Sequence, residues 1–285
     1  MLSLGLGLVV ALLGSPQAQD IAVLPDIEVA APGEDAVAVE ERFVRGVSAP
    51  PARSGSLAVW TQPLCIHVDN LSATVAEPLQ HRIESQARTL GLSIADSDCT
   101  PNIVIEATAD GRATASGLTA SHPRLFRPTP FETQLDKAAL RHFVETDAPV
   151  RWWLVTAPTD IDSGQRLVSF GFDPAIIHRR GMTPPGGNAR QTMQWAIVVL
   201  DASALTRIPL EALGDYLTLI CLVQIDMTAD DFPQESVLNL FRRTGVIGLT
   251  DHDRAFLEAI YASPPGWSHI RFNIRDVAQR MAARK

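Results

Sequence analysis

One stretch constrains the fold of this chain more than any other. It is Pro209–Met227, PLEALGDYLTLICLVQIDM, preceded by Trp195–Asp201, WAIVVLD. Leu210, Leu213, Leu217, Ile220 and Gln224 follow the i, i+3, i+4, i+7 spacing, and only the last is polar. Leu219, Cys221, Val223 and Ile225 put apolar surface on the other sides, so the spacing predicts a central helix over 209–227, buried nearly all round. WAIVVLD reads as a buried strand. A buried strand feeding a buried helix is where many α/β folds place their chemistry. This helix carries no His, no Cys pair and no nucleophile motif.

The rest of the chain divides around that unit. Met1–Asp20 has an apolar run, Leu2–Leu13, followed by small residues, and reads as a signal peptide over residues 1–18. Residues 19–55 are rich in Ala, Pro, Glu and Asp, and read as a disordered acidic linker. Residues 56–285 read as one folded domain, long enough to bury a substantial core. The expected location is periplasmic or secreted. The net charge of −8 argues against a nucleic-acid partner, which needs a basic footprint. No stretch past residue 20 is apolar and long enough to span a bilayer. The three cysteines suit export. Cys65 and Cys99 sit at the edges of predicted elements and are paired as a disulfide, whose loop length is worth roughly 3–4 kcal/mol. Cys221 reads as a small buried hydrophobe.

Within the domain, Leu57–Val68 predicts one or two strands. A helix follows from Ser72 or Thr74 to about Leu90, with Val75, Leu79, Ile83, Ala87 and Leu90 inward and Gly91 closing it. Asn102–Thr108 and Val150–Thr156 read as strands, with a Gly- and Pro-containing loop and a helix, Thr133–Val144, between them. Residues 157–194 read as a long loop, with a short strand at Leu167–Phe172. After the central helix come a short turn at Ser236–Phe241 and a helix capped by Thr250 and Asp253, its core face Phe256, Ala259 and Ile260. A basic amphipathic helix, Ile274–Arg284, ends the chain. The fold class is α/β (α+β): a single domain with a mixed sheet and a helical C-terminal part.

WAIVVLD, the central helix, SVLNLF at 236–241 and GLTDHDRAFLEAIY at 248–261 together resemble the second half of metzincin-type zincin metallopeptidases. The early PLCIHV and CTPNIVIEA segments resemble uncharacterised zincin-related secreted bacterial proteins. The resemblance implies a zincin-like domain in which a strand leads into the helix that bears HExxH. A methionine turn then passes beneath the metal, and a last helix ends in a Leu-Tyr-like pair. HExxH works because two imidazoles at i and i+4 face one metal and the Glu serves as base. Here the helix reads LEALGDYLTLICLVQ, without His, and Leu238 stands in the place of the turn methionine. The expectation is therefore a pseudoenzyme without metal or other cofactor.

Asp215 and Tyr216 interrupt the apolar helix and are the leading binding candidates, with Arg179 or Arg180 of the long loop as a partner for the Asp215 carboxylate. Glu211 and Asp215 share a helix side. His252 is expected to face solvent. Trp152 and Trp153 point to opposite sheet faces, one in the core and the other either lining a groove or covered by the long loop. The first expectation is an exported binding domain for an envelope protein or peptide. The second is a hydrolase using Asp215 with an unusual metal or carboxylate site. The third rests on Asp20–Ala31, DIAVLPDIEVAA, which resembles the short energy-coupling (TonB) box of outer-membrane transporters and implies an accessory to transport.

Overall fold

The computed structural model describes residues 35–49, 56–126, 137–167, 189–229, 234–264 and 270–284. A four-stranded mixed sheet forms its centre. β1 (Ile66–Asp69), β2 (Ile103–Thr108) and β4 (Ala189–Asp201) run parallel, while β3 (Val150–Asp160) pairs antiparallel with β4, giving the order β1-β2-β4-β3. The helices are α1 (Ala36–Val47), α2 (Ala73–Thr89), α3 (Gly111–Ser121), α4 (Lys137–Glu145), α5 (Leu210–Leu222), α6 (Asp251–Ala262) and α7 (Ile270–Ala282). The chain is thus α/β with a helical C-terminal part. Among the described residues no helix is long and apolar enough to cross a membrane.

Alternation along β3 sorts the helices into layers. Trp152 meets Tyr216 of α5 on one face. Trp153 meets Phe126 and Phe143 of the α3–α4 region on the other. Strands covered on both faces are apolar almost continuously, as the middle of β4 is from Ala196 to Leu200. Cys65 and Cys99 are joined, tying the start of β1 to the segment that leads into β2.

Helix α2 buries Leu79, Ile83 and Ala87 as its spacing predicts. It closes at Gly91, where the Leu92 N–H reaches the Ala87 carbonyl at 3.0 Å. Thr250 and Asp253 form the expected capping box of α6. The central helix ends at Leu222 instead of running to Met227, because Val223 turns extended. Its buried last turn is satisfied from outside. The Leu219 carbonyl accepts from Val223 N–H, Cys221 from the Trp60 indole at 2.8 Å, and Leu222 from the Tyr261 hydroxyl at 2.7 Å. A buried helix end needs such donors, since orphan carbonyls are costly away from water.

Several expectations are corrected. The linker assigned to residues 19–55 contains α1, which packs on α7 with Phe43, Val44 and Val47 buried. Those three residues and Glu40 follow a helical i, i+3, i+4, i+7 spacing between the flanking prolines, which the acidic composition obscured. The loop after β2 contains α3, whose N-terminus is capped by Asp110 accepting from Ala113 N–H at 2.9 Å. Gly111 and Gly117 had marked it as loop. Of Leu57–Val68, only Ile66–Asp69 joins the sheet, with Val59 making an isolated bridge to Thr192. β3 and β4 extend into the expected long loop, to Asp160 and back to Ala189. Within that loop, residues 168–188 lie outside the described residues, and so do most of the Leu167–Phe172 strand and the DIAVLPDIEVAA segment.

Candidate functional site

Successive residues on a helix point about 100° apart, and this separates the two leading candidates. Asp215 turns away from the sheet to the junction of α5, α2 and the loop before α6. Its carboxylate accepts two bonds from Arg82 of α2, from Nε at 2.6 Å and Nη2 at 2.8 Å, and a third from the Leu249 N–H at 2.9 Å. Asp215 is almost fully buried, while the Arg82 side chain is 38% exposed. Hydrogen bonding to Asp215 holds the Arg82 guanidinium above its ordinary range, and the charges of Asp215 and Glu211 add to this against desolvation.

Two glycines make the anchor possible. A side chain at Gly214 would meet the Arg82 stem at 3.1 Å, so α2 and α5 approach closely there. A side chain at Gly248, where φ is +157°, would stand 2.5 Å from an Asp215 carboxylate oxygen. Asp215 therefore has a charge partner and a backbone donor, and it fastens the 244–250 loop to the central helix. Arg179 and Arg180 lie outside the described residues. Arg82, which lies 133 residues before Asp215, had no signal in the sequence beyond being a cation on the outer side of α2.

Tyr216 points the other way, into a cavity of about 230 Å³. Its walls come from β3 (Trp152), the middle of α5 (Tyr216), the 226–229 segment (Met227) and the SVLNLF turn (Leu238 and Phe241). The Trp152 and Tyr216 rings meet edge-on at 6.2 Å, and those of Tyr216 and Phe241 at 4.9 Å. Trp152 is fixed by its indole, which donates to the Ile225 carbonyl at 3.1 Å. Of the two tryptophans in the strand, Trp152 thus lines the groove and Trp153 belongs to the core of the opposite face.

Charge around the cavity is mixed. Arg151 borders it, but its guanidinium donates to the carbonyls of Val144, Thr146 and Ala148 at the end of α4. Desolvation lowers its pKa. Arg242 donates to the Ala229 carbonyl at 3.0 Å, which places it at the cavity edge. His142 lies on the same wall as Thr146. Asp226 is the acidic lining residue, and its Oδ1 accepts from the Thr228 N–H at 2.8 Å and hydroxyl at 2.7 Å. Burial, opposed by the nearby Arg242 charge, pushes the Tyr216 phenol well above its ordinary range, so its O–H stays a donor at neutral pH.

The Asp251–Asp253 cluster is structural. Asp253 is fully buried and accepts from the Ser236 hydroxyl at 2.5 Å, the Val237 N–H at 2.8 Å and Thr250 N–H and hydroxyl at 3.0 Å. Ser236 is accordingly a cap, its hydroxyl also accepting from the Leu238 N–H at 3.1 Å. The expectation that His252 faces solvent is corrected. Its Nε2 pairs with the buried Glu40 carboxylate of α1 at 2.8 Å, and its ring lies edge-on to Phe43 at 4.3 Å. Docking of α1, within the segment whose composition reads as linker, supplies this partner. Burial pushes the Cys221 thiol up to about 12, which leaves it protonated and unreactive at neutral pH.

Among the described residues no three His, Cys, Asp or Glu side chains gather as a metal-ligand set. Comparison with protein-family models, with curated proteins and with solved structures gives no match to this chain.

Proposed function

We propose that this chain is an exported protein whose zincin-like domain acts by binding and not by catalysis, through the cavity beside Tyr216. The observation that carries the reading is the role of the helix that would bear HExxH. In α5 the polar pair is divided between two tasks: Asp215 is used up as a structural anchor with three hydrogen bonds, and Tyr216 faces an aromatic cavity. A pocket lined by apolar rings with a few polar groups is the usual form of a small-ligand site.

Three further features support the reading. The chain order is β4, α5, the SVLNLF turn and then α6, which is the order the zincin resemblance implies. The turn closes the cavity with Leu238 and Phe241, and α6 ends at Tyr261, whose hydroxyl caps α5. The Cys65–Cys99 disulfide suits an oxidising compartment outside the cytoplasm. A peptide or envelope protein remains the proposed partner.

The test is metal content and peptide hydrolysis, measured together on protein purified without chelators or a His tag. The expected result is a folded protein with no stoichiometric metal and no cleavage of an unstructured protein substrate. Stoichiometric zinc with cleavage would overturn the binding reading in favour of a hydrolase.

A further inference from the structure

The chain has two tyrosines, and they are treated differently by the fold. Tyr261 is partly buried, with its hydroxyl donating to the Leu222 carbonyl at 2.7 Å. Tyr216 is only 6% exposed as a whole residue, yet its hydroxyl is not among the sealed-off polar atoms of the described residues. A hydroxyl at a cavity wall is open to water or to a bound molecule, and it can donate to either. Here the hydroxyl faces the 230 Å³ cavity.

The walls specify what it can bind. Trp152, Phe241 and Leu238 give flat apolar surface, suited to a ring or a branched aliphatic group. The Tyr216 O–H can only be used by an acceptor or by water. Arg242 and His142 stand on the cavity lining, with Arg242 tethered there through the Ala229 carbonyl. Among the described lining residues the acidic one is Asp226, whose carboxylate is partly occupied by two bonds from Thr228. Arg151 is directed to backbone carbonyls and takes no part. A dry cavity of about 150 Å³ holds benzene, so this one holds about nine non-hydrogen atoms.

We infer that the Tyr216 cavity binds a small carboxylate with an apolar, preferably aromatic, body. The carboxylate accepts the Tyr216 hydroxyl and pairs with Arg242, and the body lies between Trp152, Phe241 and Leu238. The same chemistry can come from a free aromatic acid or from the last residue of a peptide. This inference rests on the binding reading above and adds the ligand class to it.

Calorimetric titration with benzoate and with its neutral isostere benzamide tests it. Each is compared with a short peptide ending in phenylalanine, with its C-terminus free or amidated. The expected result is benzoate binding at least about tenfold tighter than benzamide, because a hydrogen bond to a charged group is the stronger kind. Tyr216→Phe keeps the aromatic wall, and Arg242→Gln lies on the surface. Each is expected to reduce that preference about tenfold while thermal unfolding shows the fold intact. Binding of the free-acid peptide but not its amide assigns the ligand to a peptide terminus, and binding of benzoate alone assigns it to a free acid. Both outcomes support the inference.

Equal binding of benzoate and benzamide, or an unchanged preference in both variants, overturns the carboxylate while leaving a binding cavity. No heat with any probe overturns the inference also. The binding reading itself fails only if zinc and hydrolysis appear, which is a separate measurement.

Discussion

At the scale of single residues, Asp215 shows how a carboxylate inside an apolar helix is made tolerable. Desolvating a charge is costly unless it is paired and hydrogen-bonded, and Arg82 and the Leu249 N–H supply both. Asp215→Ala leaves Arg82 without its partner and Leu249 without its acceptor. Because Arg82 is partly exposed, the loss should fall near the lower end of the range for a broken buried pair, about 3 kcal/mol. Chemical denaturation of the variant measures it, and a loss below about 1 kcal/mol would mean that the pair is no anchor. Gly248→Ala probes the same junction from the loop side. The added carbon meets the Asp215 carboxylate at 2.5 Å, so the loop must shift, at a cost of about 1–3 kcal/mol. Unfolding curves of the two variants and of the double variant should show smaller-than-additive losses, since both act on one contact.

Among the elements, α5 decides most of the structure. It is buried along its length, so its stability depends on what meets its ends and faces more than on its own propensity. Trp60 and Tyr261, from distant parts of the chain, donate to its last carbonyls. Tyr261→Phe keeps the ring and removes the donor, leaving the Leu222 carbonyl unsatisfied in the core. The expected cost is about 1–2 kcal/mol in a denaturation experiment. An unchanged midpoint would show that water replaces the hydroxyl. The second element that matters is α1. Its Glu40–His252 pair and the packing of Phe43 on Phe256 attach it to α6, so this segment is part of the domain and not a tether to it.

For the molecule as a whole, the buried acids of high pKa set an alkaline limit. Tyr216, Tyr261 and Cys221 are raised above ordinary values of 10.0, 10.0 and 9.0, mainly by desolvation. The unfolded chain therefore releases these protons at lower pH than the folded one. Their contribution is fully present below pH 9 and is lost as the pH rises from there through the folded values. Each group should lower stability by about 1.4 kcal/mol per pH unit within its own window. Urea midpoints measured from pH 7 to pH 11 should be level at first and then fall steadily. A flat profile to pH 11 would mean that the three groups are not buried as described.

The amino-acid sequence by itself determined what is local. The spacing of Leu79, Ile83 and Ala87 set the buried face of α2, Thr250 and Asp253 set the start of α6, and the WAIVVLD run set the buried strand before α5. These are legible because periodicity and capping act within a few residues. The Cys65–Cys99 pair was also legible, from its position at element edges. Tertiary structure alone decided which groups meet across long separations. Arg82 reaches Asp215, Glu40 reaches His252, and Trp60 and Tyr261 reach the end of α5. It also decided that adjacent Asp215 and Tyr216 face different surroundings, one an ion pair and the other a cavity. Composition hid α1 and α3, whose glycines and charges are weak formers of isolated helices and are held by packing. The physical reason is range: hydrogen-bond caps and hydrophobic period are written in neighbouring residues, whereas the partner of a buried polar group is chosen by how the layers close.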